Sequence, residues 1–212
     1  MARMLRFAAL GCLLLAVVGS GGCSWIPTPP VADFDWEPSD PLARSDVEFN
    51  DLSSDTGFLS AGGVVAWTWD FGDSSDTSSL QDPRHEYGKG GVYEVTLTVE
   101  DEAGAEDMKQ KKITVQPSLA GTWVGTLGDN GVALNLMLYI QHTATGGIGG
   151  TGTWGVQSFP IFSASLVGTQ ITITFTGNRV LTGTLDSSER SMTGMWIRNA
   201  NVGGTWTAQL QG

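Results

Sequence analysis

The side chains with chemistry to offer are few and scattered. Asp70, Asp73 and Asp76 crowd one short stretch, and Asp51 and Asp55 form a second group. Their hard carboxylate oxygens make these residues the candidate ligands for calcium. No EF-hand spacing is present, and acidic loops of this kind are ordinarily solvated, so no cofactor is expected. His85 and His142 are the two residues suited to acid–base work near neutral pH. Neither is accompanied by a nucleophile motif, a phosphate-cradling loop or a metal-ligand spacing. His85, close to Tyr87, is expected to be packed or hydrogen-bonded, and His142, beside Gln141, to be exposed. Asp186, Glu189 and Arg190 share one turn and read as a solvated hairpin tip. The chain is therefore expected not to be an enzyme.

Cys23 offers a different chemistry. Before it stand Arg3 and Arg6, an apolar run over residues 7–18, and then Gly19, Ser20, Gly21 and Gly22. A basic start, an apolar stretch and a small-residue site make a secretory signal. The run is too short to cross about 30 Å of hydrocarbon as a helix. The cysteine directly after the small residues resembles the lipobox of bacterial lipoproteins. Gly22 fits that pattern, whereas Ser20 stands where an aliphatic residue is usual. The resemblance implies cleavage before Cys23, acylation of its thiol and new amino group, and attachment of the protein to a membrane of the cell envelope. Ser24, rather than Asp, implies the outer membrane where one exists. The alternative is an ordinary signal peptide that leaves Cys23 as a free thiol. Cys12 would leave with the signal in either case, so no disulfide is expected.

Charge divides the remainder. Residues 30–117 hold 19 acidic and 6 basic side chains, whereas residues 118–212 hold three of each. So abrupt a change reads as a domain boundary. The acidic half would repel nucleic acid. The expected organisation is a signal peptide over 1–22, a lipidated cysteine and Pro-rich tether over 23–30, one domain over 31–117 and a second over 118–212. Pro27, Pro29 and Pro30 make the tether stiff and extended.

The acidic half alternates with the period of strands. Val65, Trp67 and Trp69 share one face of a segment, and Val95, Leu97 and Val99 share one face of another. Strands are also expected over 32–36, 47–49 and 111–116, with a turn at 101–104. Short strands with regular turns and no helical period suggest a β-sandwich. Three segments then resemble the PKD domain family: Trp69-Asp70-Phe71-Gly72-Asp73, Pro83-Arg84-His85-Glu86-Tyr87, and the alternating strand from Gly91 to Val99. The resemblance implies an immunoglobulin-like sandwich used outside the cell for spacing, adhesion, or protein and glycan contact. The residues alone already suggest that these segments are structural. Trp69 and Phe71 supply apolar area, Gly72 permits a tight backbone, and Asp70 and Asp73 can accept backbone N–H groups.

Residues 119–210 alternate more regularly still. One parity is apolar or Gly, running through Trp123, Leu127, Leu136, Leu138, Trp154, Val156, Ile171, Ile173, Phe175, Trp196 and Trp206. The other is largely Thr. The expected fold is a small eight-stranded antiparallel up-and-down β-barrel, closed by pairing of its first and last strands. Its Thr parity is too hydrophilic to face lipid, so the apolar set should face inward. Gly121-Thr122-Trp123 resembles the Gly-x-Trp motif of lipocalins and related calycins, although the domain is about half their length and lacks their Thr-Asp-Tyr segment. The chain as a whole is therefore expected to be all-β. Its expected role is non-enzymatic binding of a protein or glycan, with the first domain as spacer; the alternative is a barrel that carries a small apolar ligand. Val124, Met137 and Tyr139 interrupt the Thr parity and are the candidate contact patch.

Overall fold

The computed structural model describes residues 28–55, 63–142, 147–199 and 201–211. Cys23, the signal segment and the first part of the tether lie outside the described residues. So do parts of the turns expected at 145–147 and 199–201.

The described residues form strands and no helix. The first six strands are β1 (Phe34–Glu37), β2 (Asp46–Asp51), β3 (Val64–Asp70), β4 (Arg84–Glu86), β5 (Gly91–Asp101) and β6 (Glu106–Val115). They make two three-stranded sheets, β1-β2-β4 and β3-β5-β6. Two differences from the sequence expectation stand out. His85 lies on a strand of its own, β4, paired with β2 through Val47↔His85. β6 begins at Glu106 rather than Lys111, because the turn after Asp101 is tight. The Asp101 carboxylate accepts the backbone N–H groups of Ala103 and Ala105, both at 2.8 Å, and starts the return strand at once.

The sandwich core is aromatic. Phe34, Phe49, Trp69 and Phe71 from both sheets meet with ring centroids 5.1–5.6 Å apart across the contacts Phe34–Trp69, Phe49–Trp69 and Phe49–Phe71. Val95, Leu97, Val99 and Ile113 complete it. The chain enters and leaves this domain at opposite ends. At entry, the Ala32 N–H donates to Asp107, which pairs with Val99 near the far end of β5. At exit, Val115 pairs with Gly91, the first residue of β5. At about 3.3 Å per residue the two points lie on the order of 25 Å apart along the strand.

The second half contains β7 (Gly121–Asp129), β8 (Val132–His142), β9 (Ile148–Trp154), β10 (Gln157–Val167), β11 (Gln170–Phe175), β12 (Arg179–Leu185), β13 (Ser191–Arg198) and β14 (Asn201–Leu210). They form a closed antiparallel barrel in sequence order, sealed where β14 pairs with β7 through Trp206↔Leu127 and Ala208↔Gly125. The apolar parity is inside. Trp123, Leu127, Leu136, Leu138, Ile173, Phe175, Trp196 and Trp206 are buried in one cluster that also takes in Leu119. Val156 departs from the expected parity. It is fully exposed in the tight β9–β10 turn with Gly155, because Trp154 already pairs with Gln157.

Glycines inside the barrel make room for its large rings. A Cβ on Gly152 would meet the Phe175 ring, and one on Gly203 would meet the Trp196 ring. The buried indole N–H groups are satisfied: Trp123 donates to the Leu119 carbonyl at 2.9 Å and Trp196 to that of Gly128 at 2.6 Å. Large side chains thus project into the interior, as in other small barrels.

Candidate functional site

In the sandwich, Asp51, Asp70, Asp73 and His85 are all engaged by the fold. The Asp70 carboxylate accepts the Gly72 N–H at 2.9 Å. Gly72 itself has φ +76°, and a Cβ there would meet the Glu94 carbonyl. Asp73 accepts from the Ser75 N–H at 3.1 Å and lies 2.8 Å from His85 Nε2. His85 stacks on Phe71 at 4.0 Å and stands edge-on to Tyr87. Burial alone would push the Asp73 carboxyl up, but hydrogen bonds from Ser75 and His85 outweigh it and hold the group below the usual range. Tyr87, its phenol pushed up by burial, donates to the Phe71 carbonyl at 3.2 Å. The arrangement locks a corner, with His85 held by Asp73, Phe71 and Tyr87.

The acidic groups are similarly engaged or apart. Asp51 accepts from Trp67 Nε1 at 2.7 Å, Gln81 Nε2 at 3.1 Å and the Ser53 N–H at 2.9 Å. Asp76 is exposed. Among the described residues, no three His, Cys, Asp or Glu side chains are grouped so as to hold a metal ion.

The barrel carries the candidate contact surface. Val124 on β7 pairs directly with Met137 on β8, and Tyr139 follows two residues later on the same outer face. Their exposures of 36%, 48% and 46% are high for apolar side chains in a sheet. Thr153 and Thr151 stand opposite Met137 and Tyr139 on β9, and Pro160 stands opposite Thr151 on β10. Phe162, 77% exposed, extends this face, and sequence reasoning missed it. It faces outward by ordinary alternation after the inward Ile161, and the register shift between Ile161 and Ser163 leaves Ser163 outward as well. Its signal was a large apolar residue on the outward parity, directly after Ile161.

A second group was misjudged from sequence. Glu189 is 8% exposed rather than solvated. Its Oε1 accepts the Gly90 N–H of the sandwich at 2.8 Å, and its Oε2 lies 3.6 Å from the Arg44 guanidinium. Arg44, held at φ +59°, also donates to the Ser118 carbonyl in the link between the domains. Burial draws the Arg44 pKa down, and Glu189 opposes this. His142 is half-buried rather than exposed, with Nε2 2.8 Å from the Ser118 hydroxyl. Burial, and then the nearby Arg44 charge, hold its pKa below the ordinary value. These partners are far apart in sequence, so nothing local signals them. Together they brace one end of the barrel against the exit end of the sandwich.

Residues 27–116 match the family described as the PKD domain. A 75-residue stretch is 37% identical to Collagenase ColA of Bacillus cereus, covering 35% of this chain and 7% of that protein. A 78-residue stretch is 40% identical to the pre-pro-metalloprotease PrtV of Vibrio cholerae, covering 35% of this chain and 8% of that protein. The chain therefore spans less than a tenth of these curated relatives, and the likeness does not reach their catalytic parts. Among solved structures, the PKD1 domain of Vibrio anguillarum Epp is 31% identical, covering 44% of this chain and 100% of that one, with a TM-score of 0.38.

Proposed function

We propose, from the premise that residues 27–116 belong to the PKD domain family, that this chain is a non-enzymatic lipoprotein of the bacterial cell envelope. The PKD domain serves as a spacer, and the barrel binds a protein or glycan. The observation that carries the reading is the polarity of the spacer. The chain enters at Ala32 and leaves at Val115, at opposite ends of β5, and the exit is braced to the barrel by Arg44 and Glu189. A domain threaded end to end and fixed at its exit holds its cargo at a set distance from an anchor. The Pro-rich tether adds reach at its start.

Binding at the outer surface is preferred to carriage of an apolar ligand because the bulky Trp123, Trp154, Trp196, Trp206 and Phe175 are all buried in the barrel core. The contact face is that of Val124, Met137, Tyr139 and Phe162, large apolar side chains framed by Thr hydroxyls. The acidic spacer disfavours nucleic acid as partner.

Attachment is tested by Cys23→Ser. Two acyl chains give stable anchoring where one does not, so the substitution should move the protein from the membrane to the soluble fraction or block its processing. Fractionation unchanged by the substitution contradicts lipid attachment.

A further inference from the structure

The outer wall of the barrel over β7–β10 is uncharged. Among the described residues, no acidic or basic side chain stands on its outward parity. The chain as a whole carries a net charge of −11. A charged group of a partner laid on this wall would lose water and find no counter-charge, which is costly. The occupant is therefore neutral where it touches the wall.

Strand register orders the outward side chains into rows. One row runs Thr122, Tyr139, Thr151 and Pro160 across the four strands. The next runs Gln209, Val124, Met137, Thr153 and Ser158. With neighbouring strands about 4.8 Å apart, Tyr139 and Pro160 stand about 10 Å from each other, on either side of Thr151. Phe162, two residues beyond Pro160 on β10, lengthens the platform. Tyr139 is 46% exposed and Phe162 77%. The Tyr139 hydroxyl accepts from the Gln141 amide, its outward neighbour on β8, which holds the ring in place. A ring held before binding loses little freedom on binding.

The interleaving of these side chains decides which neutral partner fits. A protein-binding patch gathers its apolar groups at the centre and leaves polar ones to the rim. Here Tyr139 has a threonine on either side in its own row, and the Val124–Met137 pair is closed by Gln209 and Thr153. A sugar ring has the matching composition. Its C–H face suits an aromatic face, which carries partial negative charge. Its rim of hydroxyls suits Thr and Gln side chains set one strand apart. The wall is convex and open, a track rather than a cleft, so it suits several rings of a chain better than one enclosed sugar. We infer that this wall binds a neutral polysaccharide chain, with sugar rings on Tyr139, Pro160 and Phe162 and their hydroxyls met by Thr122, Thr151 and Thr153. The inference rests on the reading that the barrel's outer wall is its binding surface, and it names the class of partner.

The test is calorimetric titration of the protein with soluble xyloglucan, hydroxyethylcellulose, galactomannan and laminarin, with polygalacturonate as the charged control. At least one neutral polysaccharide should bind, equally at low and high ionic strength, because no charge is engaged. Tyr139→Ala, at an exposed position, should weaken binding about tenfold or more. Phe162→Ala should weaken it in the same direction, and Tyr139→Phe, which keeps the ring, should retain most of it. Met195→Ala, on another part of the wall and 50% exposed, should bind as the parent does. No binding of any neutral probe, binding unchanged in Tyr139→Ala, or polygalacturonate bound as tightly as the neutral probes overturns the inference. A photo-crosslinking residue placed at Thr151 in cells separates that failure from failure of the reading beneath it. A crosslink to an envelope protein, with no polysaccharide bound, keeps the wall as a binding surface and overturns the assignment to a polysaccharide. Neither a crosslink nor polysaccharide binding overturns both.

Discussion

The two halves of this chain solve the same problem, a stable all-β fold, by different means. The sandwich relies on polar ties at particular residues. Its corner is fixed by Asp70 on Gly72, Asp73 on Ser75 and His85, and Tyr87 on the Phe71 carbonyl. The barrel relies on parity. Every strand presents apolar or Gly positions inward, and Trp rings fill the space that Gly leaves. The difference shows where function can be placed. In the sandwich the chemically capable residues are spent on structure. In the barrel, structure is carried by the interior, and the outer wall and rims are left free to vary.

That contrast is tested most strongly by removing one large ring. Trp206 is 1% exposed and donates its indole N–H to backbone carbonyls at 3.1 and 3.2 Å. Trp206→Ala should cost about 3–5 kcal/mol and lower the barrel's unfolding midpoint while the sandwich transition stays in place. A single shared loss across both transitions in calorimetry would show that the two cores are not separate.

The matching test in the sandwich is Gly72→Ala. The left-handed φ and the collision with the Glu94 carbonyl should together cost about 2–3 kcal/mol, despite adding only a methyl group. Denaturant unfolding should show the loss in the sandwich alone. A near-neutral result would mean that the corner is less constrained than its geometry indicates.

The junction lies between the two regimes, and Glu189→Gln probes it. Oε1 can be replaced by the amide oxygen toward Gly90, but the charge toward Arg44 is lost. The expected effect is about 1 kcal/mol in whole-protein stability, with faster hydrogen exchange at Gly90. Unchanged exchange there would remove Glu189 from the brace.

The smallest effect is a pH dependence from His142. Its folded pKa lies below its unfolded one, about 6.5. The folded state thus binds fewer protons in that window, and stability rises with pH there. The contribution is complete above about pH 6.5 and is lost as pH falls through the lower, folded value. Thermal melts between pH 5 and 7 should show this slope, and His142→Asn should flatten it. A slope that survives the substitution assigns it to another group.

Sequence made the two folds largely legible, for reasons that differ in each. Strict period-two alternation gave the barrel its strand count and its inward face, since one slip would turn every side chain over. It failed at Val156, where a tight turn interrupts the alternation. In the sandwich the segment around Gly72 identified the corner, but the short strand at His85 was hidden because three residues show no period. The junction was not legible at all. Glu189 and Arg44 look like any surface pair until folding brings residues 145 positions apart to 3.6 Å.

The central claim is that the sandwich is a spacer rigidly braced to a binding barrel. Residual dipolar couplings measured on both domains of the same molecule test it most directly. The account predicts that one alignment tensor fits the couplings of β1–β6 and β7–β14 together, and that Glu189→Gln makes the two sets diverge. Separate tensors in the unsubstituted protein would contradict it, because a loosely hinged barrel is not held at a set distance by anything in this fold.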